Sequence, residues 1–203
     1  RGTSVGDGDA ESDEKPAHEV TLTQPFYLGR YEVTQAQWQA AMSSNPSTKS
    51  KDPQAPVETV SHDDIASFNR KTGLRLPTEA EWEYACRAGS TAARYGELDA
   101  VAWYSGNSGS TTHLVGQKRA SALGFHDMLG NVHEWCSDWY SDSEYARCSA
   151  GVVDPKGPST GDSRVLRGGS WNDDDWNCRA SNRYDDRPAT RNVSNGFRAS
   201  RTP

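Results

Sequence analysis

Cysteine is scarce in this chain: four in 203 residues, at positions 86, 136, 148 and 178. That is too few for a disulfide scaffold, and no CxxC pair is present to hold a zinc ribbon. Long apolar runs are missing as well, since no stretch approaches the roughly 20 apolar residues of a bilayer-spanning helix. Basic excess is also lacking. The net charge of −6 argues against nucleic acid as the main partner, because phosphate binding needs a basic face. The chain opens at Arg1 without a methionine, so the lack of a targeting segment excludes nothing.

What is present is aromatic mass. Hydrophobic residues make up only 33% of the chain, but seven Trp and eight Tyr concentrate apolar area in large side chains. Residues 17–203 are long enough for a single domain with a core of its own. Residues 1–16 are rich in Gly, Asp, Glu and Ser and read as a disordered acidic leader. The segments His18–Thr23 and Phe26–Val33 alternate like strands, separated by Gln24-Pro25. Capping boxes at Thr34–Gln37, Ser61–Asp64 and Thr78–Glu81 start helices. Trp38 and Met42, then Ile65 and Phe68, then Trp82, Ala85 and Cys86 mark their buried faces, and Gly73 and Gly89 mark stops. Leu74–Pro77 reads as a short strand, and Trp135, Trp139 and Tyr140 as core. Two or three short helices and several short strands without βαβ alternation indicate an α+β fold with much loop.

The densest signal runs from Arg164 to Arg198. It opens on Val165-Leu166 and a Gly-Gly turn and closes on Gly196-Phe197-Arg198. Its middle keeps no hydrophobic period, so it reads as ordered loop. Two polar clusters lie inside it, Asn172–Trp176 and Tyr184–Arg187.

Four motifs in order, FYLGRYEVTQAQW from Phe26, RLPTEAEWEYACRAG from Arg75, DMLGNVHEWCSDWY from Asp127, and LRGGSW, NCRASNR and NGFR at the end, resemble the formylglycine-generating-enzyme/sulfatase-modifying-factor family. The resemblance implies a C-type lectin fold of that type; function has to be argued from the site. In the family, two cysteines three and eight positions after Gly-Gly-Ser hold Cu(I), which soft thiolates select. Here those positions are Asp173 and Cys178. NCRASNR also aligns, with a gap, to a structural cysteine, so the register of Cys178 stays open. One thiolate at most remains, which implies neither copper nor that oxidation. The five histidines (18, 62, 113, 126, 133) show no paired spacing and read as satisfied or surface residues. By resemblance, Asp127 and Glu134 would ligate calcium through side chains, and Gly130 and Val132 through carbonyls. The alternative is that both carboxylates bond the backbone of a tight turn. Trp171-Asn172-Asp173 spells the WND of sugar-binding lectins, but the companion EPN or QPD triplet is absent.

A second resemblance is to the variable proteins of bacterial diversity-generating retroelements, which place this fold and this C-terminal frame at the chain end. Their adenine-rich templates convert Asn codons to Asp, Tyr, Ser and others while the frame persists. Here the insets would be Asn172–Trp176, Ser181–Asn182, Tyr184–Arg187, Thr190 and Asn192–Asn195. The resemblance implies a non-catalytic receptor-type protein binding through Asp173, Asp174, Asp175, Trp176, Tyr184, Asp185, Asp186, Arg187, Thr190, Val193, Ser194 and Asn195. Trp and Tyr would be rigid anchors and Asp, Asn and Ser adaptable contacts. Arg187 could pair within the acidic patch or reach a partner's carboxylate. The expected partner is a protein or other macromolecule, not nucleic acid, and the expected state a monomer. The expected compartment is the cell surface or periplasm, with a membrane reached only through a leader or lipid anchor outside this sequence. A metal-dependent oxidoreductase of the same family and a plain accessory domain are the alternatives. Cys136 and Cys148 could close a loop in an exported protein.

Overall fold

The three longer helices begin where the sequence places their caps. Thr34, Ser61 and Thr78 accept the N–H groups of Gln37, Asp64 and Glu81, whose side chains bond back. They start α1 (Gln35–Met42), α2 (His62–Thr72) and α3 (Glu79–Arg87) in a computed structural model that describes residues 1–2, 7–148 and 151–203. Gly73 ends α2 in the left-handed region at φ 73°. Helix α3 ends one residue before Gly89, at Ala88, also left-handed at φ 48°. Helices α4 (Leu98–Val101) and α5 (Glu144–Arg147) are single turns.

Ten short strands follow among the described residues. They are β1 (Val20–Thr21), β2 (Tyr27–Leu28), β3 (Ala102–Trp103), β4 (Leu129–Gly130), β5 (His133–Trp139), β6 (Val152–Val153), β7 (Arg164–Arg167), β8 (Arg183–Asp186), β9 (Asn195–Gly196) and β10 (Ser200–Arg201). The main sheet runs β8-β7-β5-β9, antiparallel except for the parallel pair β5–β9. The two early strand segments shrink to two residues each. β1 pairs with β6 and β2 with β10, so the start of the chain is sewn to its end. Alternation marks a half-buried extended segment, but a ladder forms only where a partner runs alongside. Leu74–Pro77 for the same reason keeps a single bridge, Arg75 to Ser200.

Strand alternation divides the core in two. Cys136 of β5 and Val165 of β7 join Trp82, Cys86, Met128 and Leu129. Their neighbours Trp135 and Leu166 face the other way, onto Ile65, Phe68 and Phe197. Trp82 and Trp135 are fully buried, one in each cluster. Truncating either to Ala would cost about 3–5 kcal/mol. Trp139 and Tyr140, expected in the core, are only half-buried, because β5 runs out of the layers there. All four cysteines are buried and free, so Cys136 and Cys148 close no loop.

The acidic leader corrects the sequence reading. Asp13 and Glu14 are buried. The buried Arg179 guanidinium donates to both oxygens of Glu14 (2.8 and 2.9 Å), to Asp7 (2.8 Å) and to the Asp9 carbonyl (3.1 Å). Arg183 donates to the Asp13 carbonyl at 3.2 Å, and the Tyr140 hydroxyl to the Asp13 carboxylate at 2.8 Å. Composition alone makes this segment look solvated. Buried guanidiniums elsewhere in the chain need its anions, and an unpaired buried charge is costly. Val5, part of that leader, lies outside the described residues.

A second ionic group fills the space between α3 and the sheet. Burial alone would raise the Glu79 carboxyl, but Arg1, Arg183 and Arg167 around it hold it well below the usual carboxylate range. Asp138, fully buried beside it, is pushed up to about 6 by burial and then by Glu79. An acid whose folded value is raised loses stability as pH climbs from its unfolded value, 3.8, toward 6, and nothing further above. Asp138→Asn should therefore gain relative to wild type by roughly 3 kcal/mol between pH 4 and 7. Urea melts at both pH values check this; a difference constant with pH would refute it.

Candidate functional site

The site is built outward from the Gly-Gly turn after β7. Both glycines have positive φ, 99° at Gly168 and 75° at Gly169. A Cβ on Gly169 would stand 2.9 Å from the Cys178 sulfur, and one on Gly168 3.0 Å from the Met128 carbonyl. The turn therefore passes tightly over the core and delivers Ser170, Trp171 and Asp173 to the surface end of the sheet. Trp171 is buried, its indole N–H on the Val193 carbonyl at 3.1 Å and its ring under the Lys49 ammonium at 4.2 Å.

Asp173 is half-buried and held. Its Oδ2 lies 2.6 Å from His133 Nε2 and 2.7 Å from Ser170 Oγ. Burial opposes its ionisation, yet the His133 and Ser170 bonds win and keep the carboxyl below its ordinary value. The His133 ring also stacks on Tyr184 of β8, with centroids 5.0 Å apart and planes 19° apart. Tyr184 leaves 49% of its surface exposed. Burial, then Asp186, Asp173 and Asp185, push its phenol up, so these three carboxylates share its neighbourhood. Asp186 accepts from Asn195 Nδ2 at 3.4 Å. Trp176 stands on a single 3-10 turn (Asp175–Asn177), 39% exposed, its carbonyl accepting Arg179 Nε at 2.6 Å. Asp174 accepts from Ser105 at 3.4 Å, and Asp175 is exposed. Arg187 is exposed and, among the described residues, makes no ion pair.

Most of the expected site thus lies at the surface, with Thr190 and Val193 half-buried at its edge. Ser194 and Asn195 do not. They are 6% and 1% exposed, because β9 pairs in register with β5 and Asn195 lies opposite His133. Ser181 and Asn182, counted among the insets, are buried too, with the Ser181 carbonyl accepting Arg167 at 2.7 Å. His133 was the residue missed. It is 4% exposed, not a surface histidine, and its place in the β5 alternation with Trp135 was the available signal.

Copper does not fit these residues. Cys178 is fully buried against Gly169, and burial pushes its thiol up to about 12, while Asp173 offers hard oxygens already bonded. The Ser170 hydroxyl lies on Asp173 and Asn172 and not on an imidazole. At the expected calcium set, the two carboxylates differ in how they are engaged. Both Glu134 oxygens accept from Arg198, at 2.6 and 2.8 Å, and one also accepts the Trp82 indole N–H at 2.7 Å. Asp127 accepts the Gly116 N–H at 2.6 Å, its other oxygen buried without a partner. Gly130 lies in β4, and the Val132 N–H donates to Glu32 at 3.2 Å. Among the described residues, no three His, Cys, Asp or Glu side chains are grouped to hold a metal. The Arg198 guanidinium lies against Glu134 at 2.6 Å and already brings a positive charge there.

The model of the sulfatase-modifying factor enzyme 1-like domain matches residues 2–203. The chain belongs to this family. It is 39% identical to the formylglycine-generating enzyme of Streptomyces coelicolor over 166 residues, covering 72% of this chain and 52% of that protein. It is 32% identical to the serine/threonine-protein kinase Pkn1 of Chlamydia trachomatis, across 98% of this chain but 36% of that protein. The chain thus spans about a third to a half of these relatives. Treponema denticola variable protein 1 superposes with a TM-score of 0.83 at 31% identity, over 92% of this chain and 87% of that one. The α+β architecture is the C-type lectin fold of the formylglycine-generating-enzyme type.

If Arg198 neutralises the loop as described, thermal melts in EDTA and in millimolar calcium will coincide. A rise of several degrees with calcium would restore the loop as an ion site.

Proposed function

We propose that this chain is a non-catalytic ligand-binding domain whose C-terminal insets form a diversified surface, as the variable protein of a bacterial diversity-generating retroelement. One observation carries the reading: six residues of the frame are buried while the middles of the two polar clusters stand outside. Trp171, Cys178, Arg179, Arg183, Phe197 and Arg198 are buried, while Asp174, Asp175, Trp176, Tyr184 and Arg187 are exposed. Such a division lets the outward residues change while the fold persists. The likeness to the Treponema variable protein supports it. An exposed Trp and Tyr amid short polar side chains suits a protein or other macromolecular partner, in the manner of an antibody loop surface. We place the protein at the cell surface or in the periplasm, as a monomer.

Sequencing the 3′ end of the gene and its flanks across isolates tests this. Substitutions confined to adenine-derived codons of the exposed insets, with an invariant copy nearby, are expected. A uniform region with no copy would remove the reading. Trp176→Ala and Tyr184→Ala should each leave the melting temperature within about 2 °C, since surface changes stay near ±0.5 kcal/mol. Each should cost a selected partner about 2 kcal/mol or more of affinity, as aromatic hot spots do. A large fall in melting temperature would mark them as core.

A metal-dependent oxidoreductase is the second reading, favoured by the 39% identity to the Streptomyces enzyme. Stoichiometric copper or iron in protein purified without chelators would establish it over the first.

A further inference from the structure

Three parts of the C-terminal region meet at one residue that lies outside it. The buried His133 opens β5. Its Nε2 lies 2.6 Å from Asp173, in the inset after the Gly-Gly turn. Its ring face stacks on Tyr184 of β8 at 5.0 Å. Its backbone N–H donates to the Ser194 carbonyl at 2.8 Å, beside β9. Its Nδ1 is buried without a partner, so Asp173 is the only polar hold on the ring among the described residues. An imidazole ring is rigid and planar, so its rotation about χ2 is set by whatever grips its edge. Here the edge is gripped by Asp173 and the face carries Tyr184.

We propose that His133 is a positioning residue that couples the side chain at 173 to the ring at 184, so that these two binding positions act as one unit. This deepens the binding reading above, on which its use for recognition rests. A residue at 173 that accepts a hydrogen bond fixes the imidazole plane and with it the exposed aromatic face at 184. A residue that cannot accept leaves the imidazole free to turn and Tyr184 unsupported. The insets on two separate connections are then not independent in what they can present.

The test needs no ligand, so it fails or succeeds separately from the binding reading. In the full chain, nitration of Tyr184 by tetranitromethane is followed by mass spectrometry, with exposed Tyr27 as the internal reference. Asp173→Ala should change the Tyr184 rate by about threefold or more, the scale of coupled neighbouring residues. Asp173→Asn, which removes the same charge but keeps an acceptor, controls for the charge at 173 and should differ from Asp173→Ala by about that factor. In a His133→Phe background, where the ring remains but its edge cannot donate, Asp173→Ala should do no more than Asp173→Asn. An unchanged rate in Asp173→Ala would overturn the proposal. So would equal effects of Ala and Asn, which would mean simple loss of charge, or an undiminished difference between them in the His133→Phe background. The Asp173 variants alter a half-buried surface residue, so the measurement survives even if His133→Phe folds poorly.

Discussion

Buried guanidiniums govern this molecule. Arg167, Arg179, Arg183 and Arg198 are each at most 4% exposed. A charge so placed is tolerable only with an anion against it and its N–H groups satisfied. Arg198 closes on Glu134, Arg167 on Glu83, Arg183 on Glu79, and Arg179 on Glu14 and Asp7. All four arginines come from the C-terminal region, and their partners come from β5, α3 and the first fourteen residues. These pairs tie a loop-rich segment with few ladder bonds of its own to the regular part of the fold.

The outer surface follows from that anchoring. Arg179 reaches the Trp176 carbonyl while holding the leader, so the turn that carries Trp176 is fixed from below. Arg167 grips three successive carbonyls from Ala180 to Asn182, which holds that stretch in the interior. The side chains left facing outward are mostly acidic or aromatic. Ridding the interior of unpaired charge and leaving an acidic and aromatic exterior are thus two results of one arrangement.

Much of the regular structure was legible. Capping boxes need only residues three apart, so Thr34, Ser61 and Thr78 announced their helices. The stripe Trp82, Ala85, Cys86 announced what α3 buries. The order of the motifs announced the family. The leader was misread because charge and small residues look alike in a solvated tail and in a buried counter-ion segment. Ser194 and Asn195 were placed outside because inset composition says nothing of strand register. The Arg198 that bonds Glu134 stands 64 residues further along the chain, so no local pattern announces that pair.

By itself the sequence determined the local events: helix starts and stops, the Gly168-Gly169 turn, and the core positions of Trp82 and Trp135. These depend on neighbours within a few positions. Only the tertiary structure decided which carboxylate meets which arginine, and that His133 stands between Asp173 and Tyr184. Those pairings join residues far apart in the chain, and burial, which makes each of them matter energetically, exists only once the chain has closed.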